Sequence, residues 1–316
     1  MTGAAGFIGS HLAERLLVDG HAVVGVDAFS DYYAARLKER NLERLQEAPA
    51  FTLVRANLLD LDLSELCRGV EVVFHLAAQA GVRASWGRAF EVYTNWNVLA
   101  TQRLLEAARG GRLARFVYAS SSAVYGRSEL PMREESPTHP LSPYGVSKLA
   151  GEHLVSLYAV AYGVPAISLR YFTVFGPRQR PDMAFHRFIR ALRRGQPIPV
   201  FGDGRQTRDF TFVGDIVRAT YRAGTVETTP GEVLNIAGGA RIELRDAIHE
   251  LEAIIGRDAV LGEGAAPAGE MPHTYADISR ASRVLGWSPE TALREGLRQE
   301  VEWIARLEAD GTLEDG

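Results

Sequence analysis

The chain has 316 residues, 46% of them hydrophobic, and a formal net charge of -4. That is an ordinary globular composition, long enough for one large domain or two smaller ones, and its near-neutral charge gives no reason to expect a nucleic-acid partner. No apolar run is long enough to span a bilayer, and no basic segment followed by an apolar stretch marks a secretory leader.

The chain opens on "TGAAGFIGSHL", with Gly3, Gly6 and Gly9 running into an amphipathic stretch whose stripe is Leu12, Leu16 and Leu17 and whose stop is Gly20. Glycines let the backbone turn tightly and approach a pyrophosphate, while a helix N-terminus offers unpaired N–H groups and a positive dipole end. A dinucleotide fold needs a strand ahead of such glycines, yet only Met1 and Thr2 precede Gly3. The expectation is a truncated start or a chain whose first residues are omitted. "AVVGVD" (residues 22–27) reads as the next strand and ends in Asp27, near the distance at which an acid binds the ribose hydroxyls. That carboxylate would repel the extra phosphate of NADP, so NAD is the expected cofactor.

Cys67, the only cysteine, can form no intrachain disulfide; a packing role and a reducing cytoplasm are expected. "VEVVFHLAA" (residues 70–78) reads as a strand, with His75 a packed residue near the cofactor. "NVLATQRLLEAAR" is an amphipathic helix in which Asn97 makes structural hydrogen bonds. "RFVYASSS" (residues 115–122) is a further strand with three serines at its end. Strands alternating with helices predict a parallel sheet covered on both faces.

"SPYGVSKLAGEH" (residues 142–153) then starts a long helix with Tyr144 and Lys148 four apart, hence on one face. A tyrosine near its ordinary pKa of about 10 is a poor base at neutral pH. An adjacent ammonium and a positive nicotinamide ring would lower that pKa, and a serine hydroxyl from the preceding strand end would share the proton. Ser, Tyr and Lys around a nicotinamide suit reversible oxidation of an alcohol. "PAISLRYF" (residues 165–172) reads as another strand. Beyond it Gly, Pro and Arg crowd "TVFGPRQRPDM" and "GQPIPVFGDGRQTRDF", segments suited to ligand-facing loops. Between these loops "RFIRALRRG" (residues 187–195) is read as a solvated basic helix face. "VLNIAGG" (residues 233–239) is one more strand. The histidines show no metal-ligand spacing, so no metal is expected. The resulting plan is α/β: a Rossmann-type doubly wound parallel sheet over residues 1–170, rejoined by a strand and helix near 212–238. A smaller mixed α/β substrate domain makes up most of 171–316.

"TGAAGFIGSHL", "FHLAAQAGVR", "NWNVLATQRLLEAA", "SSSAVYG", "SPYGVSKLAGEHL" and "RDFTFVGDIVRA" together resemble the extended short-chain dehydrogenase/reductases over essentially the full chain. The order of these motifs is similar to nucleotide-sugar enzymes that hold NAD tightly. The resemblance implies a catalytic set of Ser121, Tyr144 and Lys148. It implies cofactor contacts at Gly3, Gly6, Phe7, Ile8, Gly9, Asp27, Leu76, Ala77 and Ala78, with Tyr144 and Lys148. The 4,6-dehydratases of this family carry an Asp-Glu pair after the catalytic hydroxyl residue, and the decarboxylases tend to carry a Glu; here Ser122 and Ala123 stand there. What remains is 4-epimerisation through a transient 4-keto sugar. Thr173, the run from Arg180 to Ala184 and "DAFSDYY" resemble UDP-glucuronate 4-epimerases. That likeness implies that Ser121, Ser122 and Thr173 hold the sugar carboxylate and that Arg180 and Arg208 meet the diphosphate. Ala123, where a further hydroxyl would help, and Ala28, where Asn often follows the ribose-binding acid, depart from the pattern. A UDP-glucose/UDP-galactose 4-epimerase is the alternative, ahead of a UDP-glucuronate decarboxylase, a net dehydrogenase or a non-catalytic NAD-binding protein. The family resemblance also implies a homodimer through the helices bearing "NVLATQRLL" and "YGVSKLAGEHL", and no membrane or nucleic-acid partner.

Overall fold

In the computed structural model of the chain, which describes residues 1–111, 113–201, 203–264 and 268–313, Met1 and Thr2 lie extended between two later strands. Residues 202, 265–267 and 314–316 of the expected C-terminal segment fall outside the described residues. The Thr2 amide donates to Phe74 O (2.9 Å) and the Gly3 amide to Val26 O (2.8 Å). Thr2 pairs in parallel with both Val26 and His75. The strand that the glycine motif requires is thus represented by two residues, in the middle of the sheet.

Around this stub the elements follow in the alternation read from the sequence. α1 (Phe7–Val18), β1 (Val23–Asp27), α2 (Ala35–Gln46) and β2 (Phe51–Arg55) come first, then α3 (Leu63–Leu66) and β3 (Val72–His75). α4 (Phe90–Tyr93) passes through a π-helical turn, Thr94–Leu99, into α5 (Ala100–Ala108). β4 (Arg115–Ser121), α6 (Pro143–Tyr162) and β5 (Ala166–Tyr171) complete the first part. β6 (Val174–Phe175), α7 (Ala184–Arg194), β7 (Ile198–Phe201), β8 (Thr207–Arg208) and β9 (Thr211–Phe212) lead away, and α8 (Val213–Thr225) and β10 (Glu232–Ile236) return. β11 (Ile242–Glu243), α9 (Leu244–Ile255), β12 (Leu261–Gly264), α10 (Ser279–Leu285) and α11 (Leu293–Ala309) finish the chain.

The pairs β1–β2, β3–β4, β4–β5 and β5–β10 are all parallel. With the Met1–Thr2 stub joining the halves, the order is β2, β1, stub, β3, β4, β5, β10, the doubly wound arrangement in which a ligand binds beyond the strand carboxyl ends. β4 and β5 are buried along nearly their whole length because side chains alternate between two covered faces. Val117 and Ile167 pack with α1 and α8 residues such as Leu12, Leu16 and Ile216. Phe116 and Ala166 pack on the other side with Leu104, Leu105 and Val155 of α5 and α6. The register Ser121↔Tyr171 brings the end of β4 beside the start of the Thr173 loop.

A second core forms from α7, α9 and α11, with Phe185, Ile189, Ile248, Leu251, Leu297 and Ile304 buried together. β7 and β12 pair in parallel and β8 and β11 antiparallel at its edge. α7 corrects one expectation. Its Phe188, Ile189 and Leu192 face this core, and Arg187 lines a cavity instead of simply facing solvent. Arg193 pairs with Glu308 of α11 at 2.7 Å.

Candidate active site

A cavity of about 950 Å³ opens at the carboxyl edge of the sheet, against the α7 and α9 layer. Every site residue expected from the sequence lines it: Gly3, Gly6, Phe7, Ile8, Gly9, Asp27, Leu76, Ala77, Ala78, Ser121, Ser122, Tyr144, Lys148, Thr173, Arg180 and Arg208. At one end the backbone itself makes the cradle. Gly3 adopts a positive φ of 72°, and a Cβ there would lie 2.9 Å from the Ala77 amide nitrogen. A Cβ on Gly9 would lie 2.0 Å from Gly3 O, so only glycine fits. α1 begins at Gly6 with no side-chain cap, which leaves its first amides to a ligand. Asp27 is fixed by amides of Ala5 (3.0 Å) and Phe29 (2.9 Å) at the same end. A glycine cradle, bare helix amides and a fixed carboxylate suit a dinucleotide.

Only two of the 35 basic residues are lysine, and both, Lys38 and Lys148, are buried and line this cavity. Lys38, which the motif reading missed, sits near Asp27 and donates to Ser30 O at 2.8 Å. Its position on α2, between the strand that ends in Asp27 and the next, carries no signature of its own in one sequence.

The Ser121, Tyr144 and Lys148 group forms where β4 ends and α6 begins. Ser142 caps α6 by accepting from the Gly145 amide (3.1 Å), Pro143 supplies a preset φ, and Gly163 closes the far end in a left-handed conformation. Tyr144 therefore stands in the first helical turn, facing the sheet edge. Ser121 Oγ accepts from the Ala123 amide (3.2 Å), which leaves its hydroxyl proton to donate elsewhere. Burial pushes the Tyr144 phenol above its ordinary value, while Ser121 and the Arg180 guanidinium pull it down. Arg180 is a cation near Tyr144 that the sequence did not connect with it. Lys148 lies over the Tyr118 ring at 4.4 Å, and burial pulls its pKa down to about 7.

His75 and Asn97 hold the floor of this region. His75 is buried between the Thr2 and Thr101 hydroxyls (2.8 and 2.9 Å), and burial lowers it to about 3, so it is neutral. Asn97, inside the π-helical turn, accepts from the Gln79 amide (2.7 Å) and donates to Gln79 O and Ser147 Oγ (both 2.9 Å). Such turns expose side-chain geometry a regular helix cannot supply. Both residues take the structural roles expected of them.

Arg180 and Arg208 lie apart. Arg180 is next to Tyr144 and makes a two-pronged contact with Asp182 (2.9 and 3.0 Å), which also accepts from the Tyr32 hydroxyl (3.1 Å). Arg208 lies with Arg83 around one carboxylate, Glu270, at 3.4 and 2.7 Å, and Arg83 stacks on Phe201 at 4.2 Å. Two guanidinium groups against one carboxylate leave net positive charge at that end. Arg83, Glu270 and Tyr32 were not singled out from the sequence, because each acquires meaning only from a partner distant along the chain.

The model of the NAD dependent epimerase/dehydratase family matches residues 1–237. The chain belongs to that family. An uncharacterised UDP-glucose epimerase, YtcB of Bacillus subtilis, is 46% identical over 97% of this chain and 98% of its own length. The UDP-glucuronate 4-epimerase of Thermodesulfobacterium geofontis is 37% identical over 96% of this chain and 94% of its own. The crystal structure of UDP-glucuronic acid 4-epimerase from Bacillus cereus with UDP-glucuronic acid and NAD superimposes with a TM-score of 0.95. It is 45% identical and covers 97% of this chain and 98% of that one. Within an epimerase/dehydratase family the fold does not separate the reactions; the residues at the cavity do.

Proposed function

We propose that this chain is a UDP-sugar 4-epimerase that works with bound NAD, and that its substrate is UDP-glucuronate. The observation that carries the reading is the cavity wall itself. Ser121 and Tyr144 stand beside the hydroxyls of Ser122 and Thr173 and the Arg180 guanidinium, with Ala123 where an eliminating enzyme needs a carboxyl group. The Bacillus cereus neighbour, bound to UDP-glucuronic acid and NAD in its own crystal, supports it.

In this reading Tyr144 takes the proton of the sugar C4 hydroxyl, while the Ser121 hydroxyl keeps its proton and donates a hydrogen bond to the same oxygen. Lys148 holds the cofactor ribose and, in its protonated form, favours the phenolate. Bound NAD supplies the acceptor for the C4 hydrogen and returns it. The 4-keto sugar turns over in the cavity between these events, so the net reaction is an isomerisation. A 4-keto glucuronate is a β-keto acid and loses carbon dioxide readily. Neutral donors from Ser122 and Thr173, with Arg180, fix the carboxylate and stabilise its charge, which opposes that loss. Because Arg180 faces Tyr144, we assign it to the sugar end and give the diphosphate to Arg208 with Arg83.

We further divide the chain into a cofactor domain, residues 1–170 with 212–238, and a sugar-nucleotide domain from the remainder. We place it as a homodimer in a reducing cytoplasm, where its single free thiol, Cys67, suits the compartment. Incubation with UDP-glucuronate, UDP-galacturonate, UDP-glucose and UDP-galactose separately, with products resolved by NMR, tests the substrate. Interconversion of the two uronates, without accumulating NADH, is expected. Preference for the neutral pair would support the second reading, which Ala123 and the likeness to the uncharacterised UDP-glucose epimerase of Bacillus subtilis favour.

A further inference from the structure

We propose that Glu152 is a positioning residue of the reaction: the buried Ser120–Glu152–Arg170 cluster pins a carboxylate one helical turn beyond Lys148 and stabilises the charged form of that lysine. The inference rests on the assignment of Lys148 to the reaction given above. Lys148 and Glu152 are four apart on α6, and both are 3% exposed. Among the described residues Lys148 makes neither a hydrogen bond nor an ion pair through its side chain; its contact is the Tyr118 face. Its three N–H donors are therefore left to the cavity.

A dry ammonium without a counter-charge loses its proton. The titratable groups that face it are few. His75 on β3 is neutral, and Tyr118 on β4 is a buried phenol held well above its usual value. Tyr144 on α6 faces it from the cavity, and Arg170 on β5 stands beyond Glu152. Glu152 is the carboxylate among them, and its charge favours the protonated lysine.

Glu152 is held where it acts without touching. Arg170 grips it with two prongs, Nη2 to Oε1 at 2.6 Å and Nε to Oε2 at 3.0 Å, and Ser120 Oγ donates to Oε2 at 2.6 Å. Arg170 is itself fixed by Glu134 O (3.2 Å) and by the Tyr125 ring (4.6 Å). A free carboxylate at this spacing would swing onto Lys148 and draw the ammonium out of the cavity. Pinned toward β5, it supplies its field alone.

The chain's two lysines make a direct readout available. In holoenzyme labelled with [13C]lysine, two side-chain signals are expected, and Lys38→Arg assigns Lys148. Glu152→Gln lowers the Lys148 titration midpoint by about one pH unit or more, the shift expected of an opposite charge at close range. The alkaline limb of kcat/KM moves down by the same interval, and Glu152→Asp restores part of it. Glu152→Gln leaves Arg170 buried and unpaired, so the double variant Glu152→Gln/Arg170→Gln, without a lone charge, keeps the test open if the single one fails to fold. A Lys148 midpoint unchanged in folded Glu152→Gln, or no lower in the double variant than in Arg170→Gln alone, overturns the proposal, whatever happens to the melting temperature. If the midpoint moves but the wild type turns over no UDP-sugar, the proposed function fails and the Glu152 assignment stands.

Discussion

Tyr144 is the residue on which the chemistry turns, and its surroundings oppose it. Burial drives the phenol toward neutrality, and Ser121 and Arg180 offset part of that. Tyr144→Phe removes one oxygen and leaves the ring that packs edge-on to Tyr93 at 6.2 Å. Turnover is expected to fall by about 10²- to 10⁴-fold, the usual weight of a general base, with the circular dichroism spectrum unchanged. Thr173 acts on selectivity. Its backbone carbonyl accepts from the Thr211 amide (2.9 Å), which fixes the loop and leaves the side chain in the cavity wall. Thr173→Ala should slow epimerisation of UDP-glucuronate by roughly tenfold or more, the worth of one hydrogen bond to a charged group, and that of UDP-glucose by less. Equal losses on the two sugars would remove Thr173 from carboxylate recognition.

Whole elements hold these residues in place, and α11 shows how. Glu300, near its middle, is fully buried and accepts from the Gly176 amide (2.8 Å), tying the C-terminal helix to the loop that carries Arg180. Burial raises its carboxyl well above 4.5, so the native state holds a proton that the unfolded chain releases. Stability from this group is full below about pH 4.5 and is lost as pH rises toward the native pKa. Glu300→Gln keeps the acceptor and does not titrate. Its gain over the wild type should be smallest near pH 5 and widen steadily toward pH 8, read as a difference in melting temperature that grows with pH. A difference that does not change with pH would contradict the buried-acid account. The same scale marks what one sequence discloses. β1, β3, β4, β5 and β10 are apolar runs with sharp ends, so they and the catalytic faces between them were legible. β2 was not: its "FTLVR" is half-exposed, and only pairing with β1 makes it a strand. The tuning of Tyr144 by Arg180 was hidden for a related reason, because the two are 36 positions apart and meet only through the loop after β6.

At the scale of the molecule, the cavity is lined by described residues of one chain, and the helices behind it are not fully covered. α6 leaves Val146, Leu157 and Val160 at 46%, 56% and 84% exposure, on positions that recur along one side. The neighbouring α4–α5 segment exposes Phe90, Val92 and Leu99. If the chain is the homodimer proposed above, these apolar side chains on two adjacent helices are the surface that a second copy would cover through a two-fold axis. The wild type is then expected by light scattering at twice the 34.6 kDa chain mass. Leu157→Asp with Val160→Asp places two charges in that surface and should return it to one chain mass. Tyr144 and Lys148 lie in the first two turns of α6, whereas Leu157 and Val160 lie in its last two. The monomeric variant should therefore keep its cofactor and lose turnover only as far as α6 loosens, which a lowered melting temperature would report. A wild type already at one chain mass would remove the dimer and leave the cavity chemistry untouched.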